Sequence, residues 1–468
     1  MLRILSREYK RPPDGWSKRA LTYWDCCQFG RNDSPTIGWI VQGEVDINAL
    51  SDGLERAVQR RASWLRGRLA RTETGSPPFE IHVPPAQSDV RAFTISVQEV
   101  KSDLSSVISY VPNGAPEPVI HVFQTFDKTT LNPRGAIRGV EEYIEKDLPL
   151  LHLHVIKASD ATFISLCWGH AAMDAVGAGQ IVSAWEQELN NIKVDTVFED
   201  RDPRELFDFT NDVSLPPGWT LPGWIRPSFW EFVRFAVWIV YDLWAFPQVH
   251  GSIYIPEALI THWIKIAEEK LSEDEWVSRN DLVEAWIFKY GWSYHPEKDL
   301  NTMFTAINFR GRHPQLPRTA ITNTAMSYVT PPLTTAELRA TSFAKIALRL
   351  RQSTLPFSEP EHVAKVVAYE FNNMKTNNGK TYYYPLGSLK SRQYGSTPWA
   401  KLGLSSPKFG AGVTTISNVT YCADRRCSTL IDSESGDWRV DLKLPQRAWE
   451  CLQIQMEKEK EALEEFGI

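Results

Sequence analysis

Cysteine is scarce in this chain: six among 468 residues, with one pair adjacent at Cys26-Cys27. So thin and irregular a set frames no disulfide scaffold. Cys422 and Cys427 have neither Cys-x-x-Cys spacing nor a nearby histidine, which argues against a zinc site. An excess of basic residues is missing as well. The formal net charge is -6, so electrostatics offers no case for a nucleic acid or an anionic lipid as partner. The opening Met1-Leu-Arg-Ile-Leu-Ser-Arg7 lacks the uninterrupted apolar stretch of a secretory signal, and the expected compartment is the cytoplasm. The sequons at Asn32 and Asn418 are then expected to stay bare. There is no Gly-x-Ser-x-Gly elbow of an α/β-hydrolase. Gly177-Ala-Gly179 lacks the third glycine and the ribose-binding acid of a dinucleotide site. Gly379-Lys-Thr381 has Met374 where a phosphate loop needs glycine. His152 and His154 share one side of a strand, yet no third ligand stands at sensible spacing, so no metal is expected.

Length and apolar content say what is present. A chain of this size with 43% hydrophobic and 23% charged residues is a soluble globular protein with two cores as the natural division. Short strands are predicted at 35–43 and 78–83, with a helix from Ile47 to Arg60 capped by Asp46 and apolar at Leu50, Leu54 and Val58. Two more strands follow, Leu150–Ile156 and Thr162–Trp168, and then a helix over 171–190. A Pro- and Gly-rich stretch between about 200 and 227 reads as a crossover. The aromatic segment Phe229–Phe246 reads as a packed or cavity-lining helix, too short and too charged for a bilayer span. The second half opens with a strand at Ser252–Ile255 and a helix to Glu269, and closes with a strand at Trp438–Leu444 and a helix from Pro445 to Phe466. The division expected is residues 1–200 and 251–468 as two domains, joined by 201–250. Eighteen tryptophans, many of them between 185 and 292, suit the walls of an apolar ligand cavity and also plain core packing.

The chemistry-bearing constellation is an apolar strand, then His170, three residues, Asp174, and a helix. An imidazole at a strand end can take the proton of an attacking alcohol through one ring nitrogen, provided that a hydrogen bond holds the other and fixes the tautomer. With an ordinary pKa of about 6.5 it is mostly deprotonated at neutral pH.

Several segments in one order then resemble the BAHD acyltransferase superfamily, in particular fungal members such as the trichothecene acetyltransferases. His170, Asp174 and Gly177 match His-x-x-x-Asp-x-x-Gly. Leu21-Thr-Tyr-Trp-Asp25 is similar to the N-terminal Leu-Ser-x-x-Asp, and Leu65-Arg-Gly-Arg-Leu69 to the segment after the first helix. Ser278-Arg-Asn-Asp281 and the stretch from Phe309-Arg-Gly-Arg312 to Thr322-Asn323 resemble second-domain motifs. The resemblance implies an α/β fold: two chloramphenicol-acetyltransferase-like domains with mixed sheets and an active-site channel between them. It implies an O-acyltransferase that uses acyl-CoA as co-substrate, with acetyl the expected acyl group, a small-molecule alcohol as acceptor and no bound cofactor. His170 would be the general base. Asp174 would point away from the reaction and pair with Arg310, with Asn323 as further second-domain support. Ser417 and Asn418 would be the candidate oxyanion donors. The Trp-rich second quarter motivates an apolar secondary metabolite as acceptor, and a monomer is the default. The family's Asp-Phe-Gly-Trp-Gly segment is absent between Asn418 and Trp438. That absence leaves open a reuse of the fold without CoA, as a cyclase or lyase-like proton-transfer enzyme or as a carrier-protein-dependent condensation enzyme. A catalytically dead binding protein is a third option, against which the retention of His170 and Asp174 argues.

Overall fold

The structure is a computed structural model that describes residues 10–123, 128–133, 139–193, 198–376, 387–421, 427–433 and 435–465. Gly379-Lys-Thr381, Cys422 and the first nine residues lie outside the described residues.

Strand Thr162–Trp168 is buried along its whole length, because both faces of its sheet are covered. It runs antiparallel between Thr36–Gln42 and Leu151–Lys157. Phe93–Glu99 adds in parallel beyond Leu151–Lys157, and Thr414–Tyr421 on the opposite edge makes five strands among the described residues. Alternation along a strand sends successive side chains to opposite faces. Leu151, Leu153 and Val155 therefore meet the apolar sides of helices Ile47–Arg61 and Ala175–Leu189, including Leu54, Val58, Ile181 and Trp185. Asp46 caps the first of these helices as expected, accepting from the amides of Asn48 and Ala49. The other helix starts at Ala175 and not at 171, because Asp174 is its cap and accepts from the Gly177 amide.

Among the described residues the second sheet has eight strands. Its main path runs Ala325–Val329, Leu300–Asn308, Ser391–Pro398, Cys427–Asp432, Trp438–Pro445, Gln248–Ile255 and Val119–Val122. Helices Glu257–Lys270, Arg279–Trp292, Phe343–Thr354 and Gln446–Glu465 cover it around Trp263, Trp286 and Trp449. Two strands cross the expected division of the chain. Val119–Val122 pairs with Gln248–Ile255 in the later sheet, and Thr414–Tyr421 pairs with Thr36–Gln42 in the earlier one. Strand Cys427–Asp432 pairs with Trp438–Pro445.

The aromatic helix spans Phe229–Ala245, and here the expectation of a packed element fails. Only Phe235 and Asp242 are buried, while Trp230 and Trp244 are among the most exposed large apolar side chains. Four of the other tryptophans between residues 185 and 292 serve core packing: Trp185, Trp263, Trp286 and Trp292 are packed in the two cores. No helix among the described residues is long and apolar enough to cross a membrane.

Candidate active site

His170 stands two residues beyond the end of strand Thr162–Trp168. The strand end is fixed by Trp168 N–H donating to the Pro35 carbonyl at 3.1 Å and Gly169 N–H to the Leu150 carbonyl at 2.9 Å. The next turn then places the ring. His170 N–H donates to the Asp33 carbonyl at 3.3 Å, and Trp168 Nε1 donates to the Met173 carbonyl at 3.1 Å, which ties the loop back on its strand. Ala171, Ala172 and Met173 are buried and small enough, or supple enough, to fit beneath it.

The later half of the chain grips this loop at two points. Arg310 and Asp174, paired by expectation, form a bidentate contact: Nη2 to Oδ1 at 2.8 Å and Nη1 to Oδ2 at 2.9 Å. Both side chains are nearly sealed from solvent, at 1% and 6% exposure. The remaining donors of the guanidinium go to the carbonyls of Ala320 at 2.5 Å, Ile321 at 3.2 Å and Thr322 at 2.6 Å, and to Asn308 Oδ1 at 3.1 Å. Asp174 takes two further bonds, from the amides of Gly177 and Thr324, each at 3.0 Å. A planar fork answering a carboxylate and a row of carbonyls is what lysine could not supply. Gly177 belongs to the same joint, since a Cβ there would stand 2.3 Å from the Ile321 carbonyl oxygen.

The second grip is one that sequence reasoning only half found. Asn323 Nδ2 donates to the His170 carbonyl at 2.9 Å and to Asp25 Oδ1 at 2.8 Å. Asp25 is fully buried and also accepts from Thr322 Oγ1 at 3.2 Å and from the amide and hydroxyl of Thr22, both at 2.7 Å. Burial pushes the Asp25 carboxyl up, against the pull of its Asn323, Thr22 and Thr322 donors. The Leu21–Asp25 motif marked the position. Its partner could not be read from a sequence, because 298 residues separate Asp25 from Asn323.

The ring itself departs from expectation. His170 Nδ1 is buried, and among the described residues no group hydrogen-bonds it, so no protein partner fixes the tautomer. The residue is partly exposed, which leaves Nε2 as the nitrogen on the accessible side.

Ser417 and Asn418 are not brought beside His170. They pair with Ile40 and Trp39, and through these with the rows of Phe163 and Ile164. At about 3.3 Å per residue, even Asn418 lies roughly 10 Å short of the Cys167 row, and His170 lies beyond that. Ser417 Oγ donates to the Val111 carbonyl at 2.7 Å and Asn418 Nδ2 to the Ser405 carbonyl at 3.3 Å. His152 and His154 are occupied by hydroxyls: His152 by Thr94 at 2.7 Å and Ser96 at 3.1 Å, His154 by Ser96 at 2.8 Å. Burial lowers His154 to about 4, so it stays neutral at ordinary pH. No group of three or more candidate metal ligands occurs among the described residues.

No family model matches the chain. Among curated proteins it is 24% identical over 341 residues to the O-acetyltransferase PaAT-2 of Phomopsis amygdali, covering 66% of this chain and 68% of that one. It is 22% identical over 422 residues to the acetyltransferase adrJ of Penicillium roqueforti, covering 84% and 82%. A third relative, the transcriptional regulator calD of Penicillium decumbens, is 26% identical, and the match spans about half of each protein, 54% and 52%. Among solved structures, F. graminearum TRI101 complexed with coenzyme A and deoxynivalenol matches with a TM-score of 0.70, over 94% of this chain and 97% of that one, at 14% identity. Vinorine synthase matches with a TM-score of 0.62 over 96% of each chain, at 16% identity. The fold is that of the BAHD-type acyltransferases. The resemblance read from the motifs thus holds for the architecture, including its mixed α/β sheets, and fungal acetyltransferases match along most of the chain. The BAHD-type frame is also close to a condensation domain of the calcium-dependent antibiotic synthetase, with a TM-score of 0.57 over 94% of each chain, at 13% identity.

Proposed function

We propose that this chain is an O-acyltransferase that moves an acyl group, acetyl by expectation, from CoA to a hydroxyl of an apolar secondary metabolite. His170 Nε2 accepts the hydroxyl proton as the alcohol oxygen attacks the thioester carbonyl. The tetrahedral intermediate then collapses, and the departing thiolate of CoA recovers the proton. General-base help of this kind contributes roughly 10²–10⁴-fold, and the rest comes from holding the two substrates together. Asp174 and Arg310 touch neither substrate in this scheme. They position the loop, as do Asn323 and Asp25.

The observation that carries the reading is a histidine with one nitrogen on the accessible side, on a loop whose carbonyl and carboxylate are both gripped by the other half of the chain. CoA as donor is supported by the TRI101 and adrJ likenesses, one of them to a protein complexed with CoA. Because Ser417 and Asn418 are engaged elsewhere, the reading assigns them no part in the reaction. It places the enzyme in the cytoplasm with no resident cofactor.

The absence of Asp-Phe-Gly-Trp-Gly, with the fit to a condensation domain, favours one alternative: an acyl group delivered by a carrier protein. Two measurements decide. Mass spectrometry of products from acetyl-CoA and a panel of apolar alcohols should show an acetyl ester, with turnover falling about 10²–10⁴-fold in His170→Ala. Undiminished transfer in that variant would remove the base assignment. Calorimetric titration with CoA separates the donors, since no binding of CoA points to the carrier protein.

A further inference from the structure

The Phe229–Ala245 helix begins with a full capping box: Ser228 and Glu231 each hold the other's backbone, so the helix is set by its own sequence. One side fastens it to the body. Asp242 is buried and accepts from Arg392 Nη1 at 2.6 Å, and Phe235 is buried beside Trp238. At 100° per residue, the direction opposite Phe235 and Asp242 is occupied by Trp230, Val233, Val237, Val240 and Trp244. Four of these are strongly exposed: Trp230 at 73%, Val237 at 65%, Val240 at 68% and Trp244 at 78%. Phe229 and Tyr241 flank them at 70% and 60%. No charged residue interrupts this stripe, and of the three charges on the helix Asp242 is spent on Arg392.

Three features identify what covers it. The stripe repeats at three- and four-residue steps, the spacing of a seam between two helices. Its two ends also match, since Trp230 and Trp244 each stand seven residues from Val237. A two-fold axis at Val237 would set Trp230 of one copy against Trp244 of the other and bring Val233 to within one residue step of Val240, with both helix dipoles antiparallel. Isologous contact requires a surface that complements itself in this way. The area fits as well. The four exposed rings and two valines present roughly 750 Å² of apolar side chain. A stable interface takes about 800 Å² from each partner, whereas the largest apolar patch on an ordinary monomer is about 300–600 Å². Charge speaks against a lipid surface, since helices that lie on bilayers carry Lys and Arg along the flank. Here Arg234 is the one basic residue of the helix, and the chain is net acidic.

We infer that this helix is the contact of a homodimer, formed by antiparallel pairing with the same helix of a second copy. A monomer was the default from length alone, and the exposed seam overrides that default.

Sedimentation velocity on the full chain over a micromolar dilution series tests it. The chain should sediment as a dimer, and Val237→Glu, which sets two like charges face to face at the axis, should raise the dissociation constant about 100-fold or more. Val237 is solvent-exposed, so an unchanged far-UV spectrum and thermal midpoint should accompany the loss. Val237→Cys should form a disulfide-linked dimer on oxidation because the axis brings the two positions within bonding reach, while Glu231→Cys should not. A monomer at tens of micromolar, or a dimer untouched by Val237→Glu, would overturn the assignment. So would a monomer that floats with phosphatidylcholine vesicles through Val237, which would give the face to lipid.

Discussion

Removing the Arg310 side chain is the sharpest test of how His170 is held. Arg310→Ala leaves the Asp174 carboxylate buried without its counter-charge, and it takes a donor from the carbonyls of Ala320, Ile321 and Thr322 and from Asn308. Breaking a buried pair by removing one partner costs about 3–5 kcal/mol. Asp174→Ala removes the same pair together with the cap on the Ala175–Leu189 helix, worth about 1 kcal/mol more. The double variant loses both charges at once and leaves no carboxylate stranded, so it should be less destabilised than the two single losses combined. We expect a coupling energy of about 2–3 kcal/mol. Urea unfolding followed by tryptophan fluorescence measures all three variants. Arg310→Lys should lie nearer to Arg310→Ala than to the parent, because an ammonium cannot span a carboxylate and three carbonyls. Single losses below about 1 kcal/mol, or strict additivity, would refute the claim that this pair closes the joint.

Two further outcomes follow from single side chains. Asn323→Ala frees the His170 carbonyl and strips a donor from Asp25, so turnover should fall roughly 10–100-fold with little change in KM for the acyl donor, as expected where a group is misplaced and binding is untouched. A loss confined to KM would mean that Asn323 acts on binding. Glu370 is buried with one carboxylate oxygen unpartnered among the described residues, and burial pushes it up to about 8. The unfolded chain releases that proton near 4.3. Between those values the folded chain keeps a proton that the unfolded chain has lost, so stability falls as pH rises, by up to about 1.4 kcal/mol per unit. Glu370→Gln should flatten that decline and raise the thermal midpoint at pH 8, and superimposable profiles would contradict it.

Local patterns were legible where one element decides its own form. Asp46 capped the helix it was expected to cap, and the buried run Thr162–Trp168 was a strand with the expected ends. Periodicity ran too far at 171–174, because it cannot tell an apolar loop from a first helical turn, whereas the cap at Asp174 can. What stayed hidden depends on partners distant in sequence. Strands Val119–Val122 and Thr414–Tyr421 carry no mark of the sheet that they join. The two residues expected as oxyanion donors sit on one of these exchanged strands, and its register turned their polar atoms to the Val111 and Ser405 carbonyls. Exposure of the Phe229–Ala245 helix was hidden for a related reason. A helix apolar on nearly every side gives no polar stripe by which to tell the docked face from the open one.

The two grips on the His170 loop bear on how substrates reach it. Asp25 and Asp174, 149 positions apart in the earlier half, are answered by consecutive residues Thr322, Asn323 and Thr324 and by Arg310. Prying the halves apart here would strand two buried carboxylates, at about 3–5 kcal/mol for the ion pair alone and about 1–3 kcal/mol for each further orphaned group. A gap of some 6 kcal/mol leaves the open form at about one molecule in 10⁴–10⁵. Substrates are therefore expected to enter around a closed joint, with the loop fixed before they arrive. Hydrogen exchange reads this directly. The Thr324 amide, donated to Asp174, should exchange as slowly as the core amides of strand Thr162–Trp168, and added acyl donor should not accelerate it. Fast exchange at Thr324 beside slow exchange in that strand would mean that the joint opens on its own, and the ring would then have to be placed anew in each cycle.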